Sequence, residues 1–420
     1  MTMLVPHRIL IAPSGFKESL DTVEVASAIA EGIRCALPAA HIDTVPLVDG
    51  GEGSAAALAQ ATGGRIVDTF VTGPVGSLVP SHFALLGGAG EGTAVVEMAA
   101  AAGLTLVPRD LRDPGATTTF GVGELILAAL DAGARRILVG CGDSGTCDGG
   151  LGALQALGAR ALDARGAEVG RGGNALADVR TLDLSGLDPR LGDVDVFVAC
   201  NPYNVLLGDK GVARVFGPQK GASPEQVDRL ARGLENWARI LERTGVRDET
   251  YDYAHGIGTG ASGGLGAGLA GGIGATLLPR FEVMLSHVDL DGLIASADLV
   301  ITAEGAVDFQ TPKGKIPAEV ARRAKLHGKP VFALAGSIGG GARDVHTVGI
   351  DAFSSILSVP MPLEEAISAG SELLAAAAEQ AMRLIMVGCS IGSQHPHAAR
   401  LPAPTLPVHT ASASRLPERV

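Results

Sequence analysis

Apolar residues in this chain alternate between short continuous runs and longer stretches at helical spacing, and the alternation is clearest at its two ends. The run RILIAPS reads as a buried strand, and the residues after it carry a helix start. Asp21 can cap, Glu24 can reach back to close a capping box, and Ala26, Ile29, Ile33 and Leu37 then give the helix one apolar face. HIDTVPLVDGGEGS follows as a second strand ending in a glycine-rich acidic turn, which completes a β-α-β opening. From about residue 284 the same rhythm returns in ADLVITAEG, IPAEVARRAKLHG, KPVFALAGS and DAFSSIL, and ends in a long Ala-rich helix to about Gly388.

The middle of the chain reads differently. GRIVDTFV, SLVPSHFALLG and TAVVEMA are strand-like runs separated by Gly and Pro, without helices long enough for parallel crossovers, so they predict antiparallel pairing. FGVGELILAALDAGA predicts a helix, RRILVGCGDSGTCDGGLGALQALG a strand, glycine-rich loop and helix, and DVDVFVAC another strand. The strongest helix pattern is SPEQVDRLARGLENWARIL. Ser223 caps it, Pro224 takes the first turn, Gln226 completes the box, and Val227, Leu230, Leu234, Trp237 and Leu241 line one face. The resulting expectation is an α/β protein with a Rossmann-like, doubly wound domain formed by both chain ends (1–70 and 284–388). A second α/β domain (71–283) is inserted in it, an active site lies in the cleft between the two, and residues 389–420, rich in Pro, Ser, His and Ala, form a disordered tail.

Composition narrows the classes. The chain has 420 residues, 46% of them hydrophobic, with 59 glycines and 3% aromatics, as expected where Ala, Val, Leu and Ile pack the layers. A net charge of -12, with no basic run or aromatic platform, argues against a nucleic-acid partner. Five widely spaced cysteines form no CxxC or Cys/His cluster and fit a reducing cytoplasm. The N-terminus lacks a signal-peptide pattern, and the apolar runs read as too short or too interrupted to span a bilayer, so a cytoplasmic location without membrane association is expected. No exposed apolar stripe stands out, and a homodimer is left open.

Lysine is scarce. Of 33 basic residues only seven are lysines, and five of them (Lys17, Lys210, Lys220, Lys313 and Lys315) sit in glycine-rich or acidic loops, whereas Lys325 and Lys329 lie on or just after a helix and read as solvated. A flexible ammonium on such a loop suits phosphate or carboxylate oxygens. Carboxylates cluster in the same way after predicted strands: Asp49 and Glu52, Asp143 and Asp148, Glu304 and Asp308. Strand-end carboxylates suit Mg²⁺, which takes one or two of them together with waters and substrate phosphates. The other reading of an Asp in a Gly-rich loop is a helix cap or Asx turn. GTGASG, Gly258 to Gly263, matches GxGxxG, but no apolar strand precedes it. It reads better as a turn opening a tightly packed helix, with amides at Gly260 and Gly263 able to face an anion, than as a nicotinamide site. Carboxylates interleaved with lysines suit phosphoryl transfer.

The strings IAPSGFKESL, PLVDGGEGS, VEMAAAAGL, GCGDSGTCDGGLGALQALGA, VFGPQKGA, GTGASGGLGAGL and ITAEGAVDFQTPKGK, in this order from about residue 8 to 388, together resemble the bacterial glycerate kinase family that includes the tartrate- and glyoxylate-pathway enzymes. The resemblance implies ATP-dependent phosphorylation of D-glycerate at the 2-hydroxyl, with Mg²⁺. Under it, Lys17 and Lys315 hold carboxylate or phosphate charge, Asp308 or Asp49 accepts the hydroxyl proton, and Glu304 or Asp143 helps to place Mg²⁺. Ser14 and Ser144 donate to the substrate carboxylate, and Lys220 and Lys313 assist with phosphate. The family often shows ACDVxNPL, whereas this chain reads ACNPYNVLLG with Asn201 at the Asp position, and neutral Asn cannot act as a base. Phosphorylation at the 3-hydroxyl needs the same groups and is an alternative. A nicotinamide-dependent oxidoreductase and a non-catalytic metabolite sensor are the readings from other classes.

Overall fold

The computed structural model describes residues 5–16, 19–45, 47–285 and 288–394. The chain divides into two compact units: a terminal unit of the segments up to Pro46 and from Leu290, and a middle unit, Leu47–Asp289. In chain order the terminal unit begins with β1 (Arg8–Ile11), α1 (Thr22–Ala36) and β2 (His41–Thr44). The middle unit follows with α2 (Ser54–Thr62), β3 (Arg65–Thr72), β4 (Leu78–Leu85), β5 (Thr93–Glu97), α3 (Met98–Ala102), α4 (Phe120–Asp131), β6 (Arg136–Gly140) and α5 (Leu151–Ala156). It continues with β7 (Arg160–Leu162), β8 (Thr181–Asp183), β9 (Asp195–Cys200), α6 (Val212–Phe216), α7 (Pro224–Thr244), α8 (Ala261–Ile273), β10 (Thr276–Pro279) and α9 (Arg280–Met284). The chain then returns through α10 (Leu290–Ser296), β11 (Leu299–Val307), α11 (Ile316–Leu326), β12 (Val331–Ile338), β13 (Ala352–Ser355), α12 (Leu363–Ser368) and α13 (Gly370–Gln394).

The terminal unit is built on a parallel sheet of order β13-β12-β11-β1-β2. Within this unit the strands therefore follow the doubly wound order 2-1-3-4-5, and the winding reverses between β1 and β11. A crevice opens at such a reversal, outside the carboxyl ends of the strands. Both faces of β1 are covered, which is why Ile9, Leu10 and Ile11 are all fully buried. Ile9 and Ile11 pack with Ile29 and Ile33 of α1 and with Leu374 and Met382 of α13. The start of α1 is fixed as its sequence predicts: Asp21 accepts from Val23 N and Glu24 N, both at 2.8 Å, and Glu24 accepts from Asp21 N at 2.9 Å.

The middle unit has a sheet of order β10-β9-β6-β5-β4-β3 and a small β7-β8 pair. The predicted antiparallel pairing holds for β3 with β4 and for β4 with β5. Beyond them β5, β6, β9 and β10 run parallel, so their carboxyl ends emerge along one edge. Helix α7 carries the predicted capping box of Ser223 and Gln226 and buries Val227, Leu230, Leu234, Trp237 and Leu241. The Gly-rich stretch at 258–263 enters α8 through left-handed backbone at Ser262, Gly263 and Gly264, and residues 251–260 contain turns where a dinucleotide fingerprint needs a strand.

Two expected boundaries are corrected. Residues 47–70 belong to the middle unit and not to the terminal one, because Ala55, Leu58 and Ala59 of α2 pack with Ala84, Val95 and Leu138 of that unit's sheet; the second crossing is at Asp289 instead of residue 283. At the C-terminus α13 runs to Gln394, past Gly388, so the expected tail overlaps a helix; residues 395–420 lie outside the described residues. By length and composition alone, Gly370–Ser393 of α13 could cross a bilayer, although no run had been expected to be long enough. Its N-terminal half is closely packed on α1. An added Cβ at Gly32 would lie 2.0 Å from the Ala375 carbonyl oxygen, which is backbone and cannot swing aside. Gly32→Ala is expected to cost about 1–3 kcal/mol through overpacking; an unchanged urea midpoint would disprove that close approach.

Candidate active site

In the middle unit the polar groups gather where β5, β6 and β10 end. The loop after β6, residues 141–150, is anchored by Asp148, which is fully buried. It accepts from Thr119 N at 2.7 Å, Thr119 Oγ1 at 2.9 Å, Gly150 N at 3.1 Å and Gly152 N at 3.3 Å. Burial pushes its carboxyl up, and the bonds from Thr119 oppose the shift. Asp148 is therefore a cap for α5 and a tie to the start of α4, the Asx reading of its sequence context. The same loop is held by Trp237, whose Nε1 donates to Gly149 O at 2.8 Å.

Asp143 has φ +51°, one of two left-handed non-glycine residues among those described, and Ser262 at the entrance to α8 is the other. Such backbone costs on the order of 1–3 kcal/mol and persists only where its surroundings impose it. Asp143 faces the turn Asp49–Gly53. An added Cβ on Gly51 would lie 2.7 Å from Asp143 Oδ2 and 3.1 Å from Asp49 Oδ1, so the two carboxylates lie close together over Gly51. Glu52 N donates to Asp143 Oδ2 at 3.4 Å and Gly51 N to Asp49 Oδ1 at 3.1 Å. On its other side Asp49 Oδ2 accepts from Arg280 Nη1 at 2.7 Å. The next amides, Gly53 N and Ala55 N, donate to Glu97 at 3.3 and 2.5 Å. Glu97 ends β5 with 1% of its surface exposed; burial pushes its carboxyl up to about 7, the two amides opposing and Glu52 and Asp143 adding to the rise.

Lys220 is brought to the same loop but is not a free cation. It is 3% exposed, and its Nζ donates to Ser144 Oγ and to Thr146 O, both at 2.7 Å. Burial lowers its pKa. An ammonium has no lone pair, so Ser144 Oγ accepts from it and the Ser144 proton is directed elsewhere. The amide of Gly260 is not available to an anion, since Gly260 N donates to Asn204 O at 3.0 Å; Gly263 sits in close packing, where an added Cβ would meet Thr146 O at 2.1 Å. Asn201 Oδ1 accepts from Tyr203 N at 3.0 Å in a local turn after β9. Lys210 is exposed.

In the terminal unit the groups lie at the carboxyl ends of β1 and β11, the switch point of that sheet. Ser14 N and Ser14 Oγ both donate to Ala303 O, at 2.9 and 3.0 Å, tying the loop after β1 to β11. Lys315 Nζ lies 3.1 Å from Glu304 Oε1 and 3.9 Å from Asp308 Oδ1. Thr311, fully buried, donates to Glu304 Oε2 at 3.3 Å and accepts from Asp308 N at 3.1 Å, and Gln310 N donates to Asp308 Oδ1 at 2.8 Å. Lys315 is also the N-cap residue of α11, so the start of that helix fixes the base of the lysine. Lys313 Nζ lies 4.9 Å from the centre of the Phe309 ring. Lys17 lies outside the described residues. Lys325 pairs with Asp351 at 2.5 Å and is not simply solvated. Among the described residues no group of three or more His, Cys, Asp or Glu side chains could hold a metal ion without help from a ligand.

Sequence reasoning missed Glu97, Arg280 and Thr311. Glu97 stood in view at the end of a predicted strand. Arg280 follows β10, a short strand ending in Pro with little apolar signal, and Thr311 had no local pattern to mark it.

A sequence profile for the "Glycerate kinase family" matches residues 9–386. The chain is 46% identical over 368 residues to "Glycerate kinase" of Bacillus subtilis (strain 168), covering 87% of this chain and 94% of that one. It is 43% identical over 382 residues to "Glycerate 2-kinase" of Escherichia coli (strain K12), covering 91% and 98%. A crystal structure of a protein provisionally named glycerate kinase 2, from Salmonella typhimurium LT2, superposes with a TM-score of 0.74 at 42% identity, covering 91% of this chain and 99% of that one. The protein is an ATP-dependent phosphotransferase acting on a small molecule. It belongs to the glycerate kinase family.

Glu97 also gives the protein a pH signature. Its folded pKa of about 7 lies above the ordinary 4.5, so the native state holds this proton more tightly than the unfolded chain. Its contribution to stability therefore falls as pH rises through that window. Urea midpoints of the native protein and of Glu97→Gln, compared at about pH 5 and about pH 7.5, should show the native protein losing ground to the variant at the higher pH. An equal difference at both would mean that Glu97 does not titrate there.

Proposed function

We propose that this kinase transfers the γ-phosphoryl group of ATP to the 2-hydroxyl of D-glycerate with Mg²⁺. The observation that carries the reading is the set Lys315, Glu304 and Asp308 at the switch point of a doubly wound sheet, where a cation is held among carboxylates by fixed backbone. In this reading Lys315, with Lys313 and Lys17, neutralises phosphate oxygens, Asp308 keeps Lys315 oriented, and Ser14 fixes the loop beside it. A switch-point crevice is where open α/β sheets bind nucleotides and other ligands.

The acidic turn of the middle unit supplies the other chemistry. Mg²⁺ prefers oxygen ligands and needs only one or two carboxylates beside waters and phosphates. Asp143, whose Oδ2 lies over Gly51, fits that donor chemistry. Glu304 or Asp143 is the carboxylate proposed to hold the metal, which when bound would neutralise the phosphates during transfer. Asp49, aligned by Arg280, accepts the hydroxyl proton. Ser144, whose oxygen is taken by Lys220, offers its proton to the glycerate carboxylate. The name of the Escherichia coli relative supports the 2-position.

Incubation with ATP, Mg²⁺ and D-glycerate should release ADP, and phosphorus NMR of the product should show 2-phosphoglycerate; 3-phosphoglycerate would overturn the position, and no ADP above background the activity. Lys315→Met should lower kcat/KM by about 100-fold or more, since it removes a cation from transferring phosphate. The far-ultraviolet circular dichroism should be unchanged, and near-normal turnover would remove Lys315 from the site.

A further inference from the structure

Glu97 plays no part in the chemistry proposed above, yet its two oxygens carry the turn on which Asp49 sits. From Gly51 to Ala55, four backbone amides end on carboxylates: Gly51 N on Asp49, Glu52 N on Asp143, and Gly53 N and Ala55 N on Glu97. The contacts of Asp49 and Asp143 are 3.1 and 3.4 Å; Glu97 makes one of similar length, 3.3 Å to Gly53 N, and the shortest of the four, 2.5 Å to Ala55 N. Glu97 has both oxygens on this segment, and it is buried, with 1% of its surface exposed. A buried, bidentate acceptor at the end of a central strand is a rigid fixture, and the partly exposed turn takes its position from it.

We propose that Glu97 is a positioning residue for phosphoryl transfer: it holds the Asp49–Gly53 turn so that the Asp49 and Asp143 carboxylates stand on either side of Gly51. The inference rests on the proposed participation of Asp49 and Asp143. Burying a carboxylate near Glu52 and Asp143 is unfavourable. Glutamine at 97 keeps the shape and one acceptor but turns an NH2 toward the second amide, which lets the turn shift.

The test is steady-state kinetics of Glu97→Gln with ATP, Mg²⁺ and D-glycerate, together with its thermal midpoint at about pH 8. The expected result is a kcat lower by about tenfold or more, a KM for D-glycerate within about threefold of native, and a midpoint equal to or above native. Loss of kcat together with a lowered midpoint would assign Glu97 to stability only and overturn the proposal, as would native kcat. Gly51→Ala, which intrudes between the two carboxylates without touching Glu97, should reproduce the kcat loss at near-native KM, and native kcat there would equally overturn it. Asp49→Asn and Asp143→Asn separate the two levels. If both retain native turnover, the functional reading itself has failed; if both lose it while Glu97→Gln does not, only the role of Glu97 has.

Discussion

The middle unit depends on two glycine-rich segments lying backbone to backbone at the ends of its central strands. An added Cβ on Gly140 would lie 2.5 Å from Gly50 O, and one on Gly142 would lie 2.5 Å from Gly51 Cα. Backbone cannot swing aside as a side chain can, so these positions admit no larger residue without moving a strand end. That approach brings Asp143 and Asp49 together over Gly51, and the roles proposed for these two carboxylates depend on it. Below the contact the loop has no freedom to relax, because Asp148 and Trp237 hold its far end with fully buried hydrogen bonds.

The terminal unit reaches a comparable result by different means. Its functional groups are placed by strand topology and a helix cap: the parallel pairing of β1 with β11 sets Ser14 beside Ala303, and the start of α11 sets Lys315 among Glu304, Asp308 and Thr311. One lysine there faces two carboxylates, so the set is net negative before any ligand arrives, as is the whole protein at -12.

Much of this was legible in the sequence because it is written locally. The capping boxes at Asp21 and Ser223, the face of α7 and the strands flanking each acidic loop depend on residues three or four apart, and they appear where the pattern puts them. The candidate site was legible as a set of loops, since Gly, Asp and Lys at strand ends are visible without a structure. What escaped is what long-range geometry decides. Residues 47–70 read as part of the terminal domain because α2 declares its allegiance only through contacts with β4, β5 and β6. Lys220 and Gly260 looked like ligand groups because composition shows polarity and openness, but not that Ser144, Thr146 and Asn204 already use them. Arg280 lay about 230 residues from its partner Asp49, with nothing local to join them.

The amides at the start of α2 give the acidic turn a chemical character that its sequence conceals. A glycine-rich loop leading into a helix is ordinarily a receptor for phosphate, because unsatisfied N–H groups and the helix dipole attract anions. Here the protein's own carboxylates have taken that place. The loop is thus inverted in sign: four of its amides end on carboxylates, where a phosphate cradle would offer them to an anion. DGGEGS resembles a phosphate cradle in form, with its N–H groups already turned to the protein's own carboxylates.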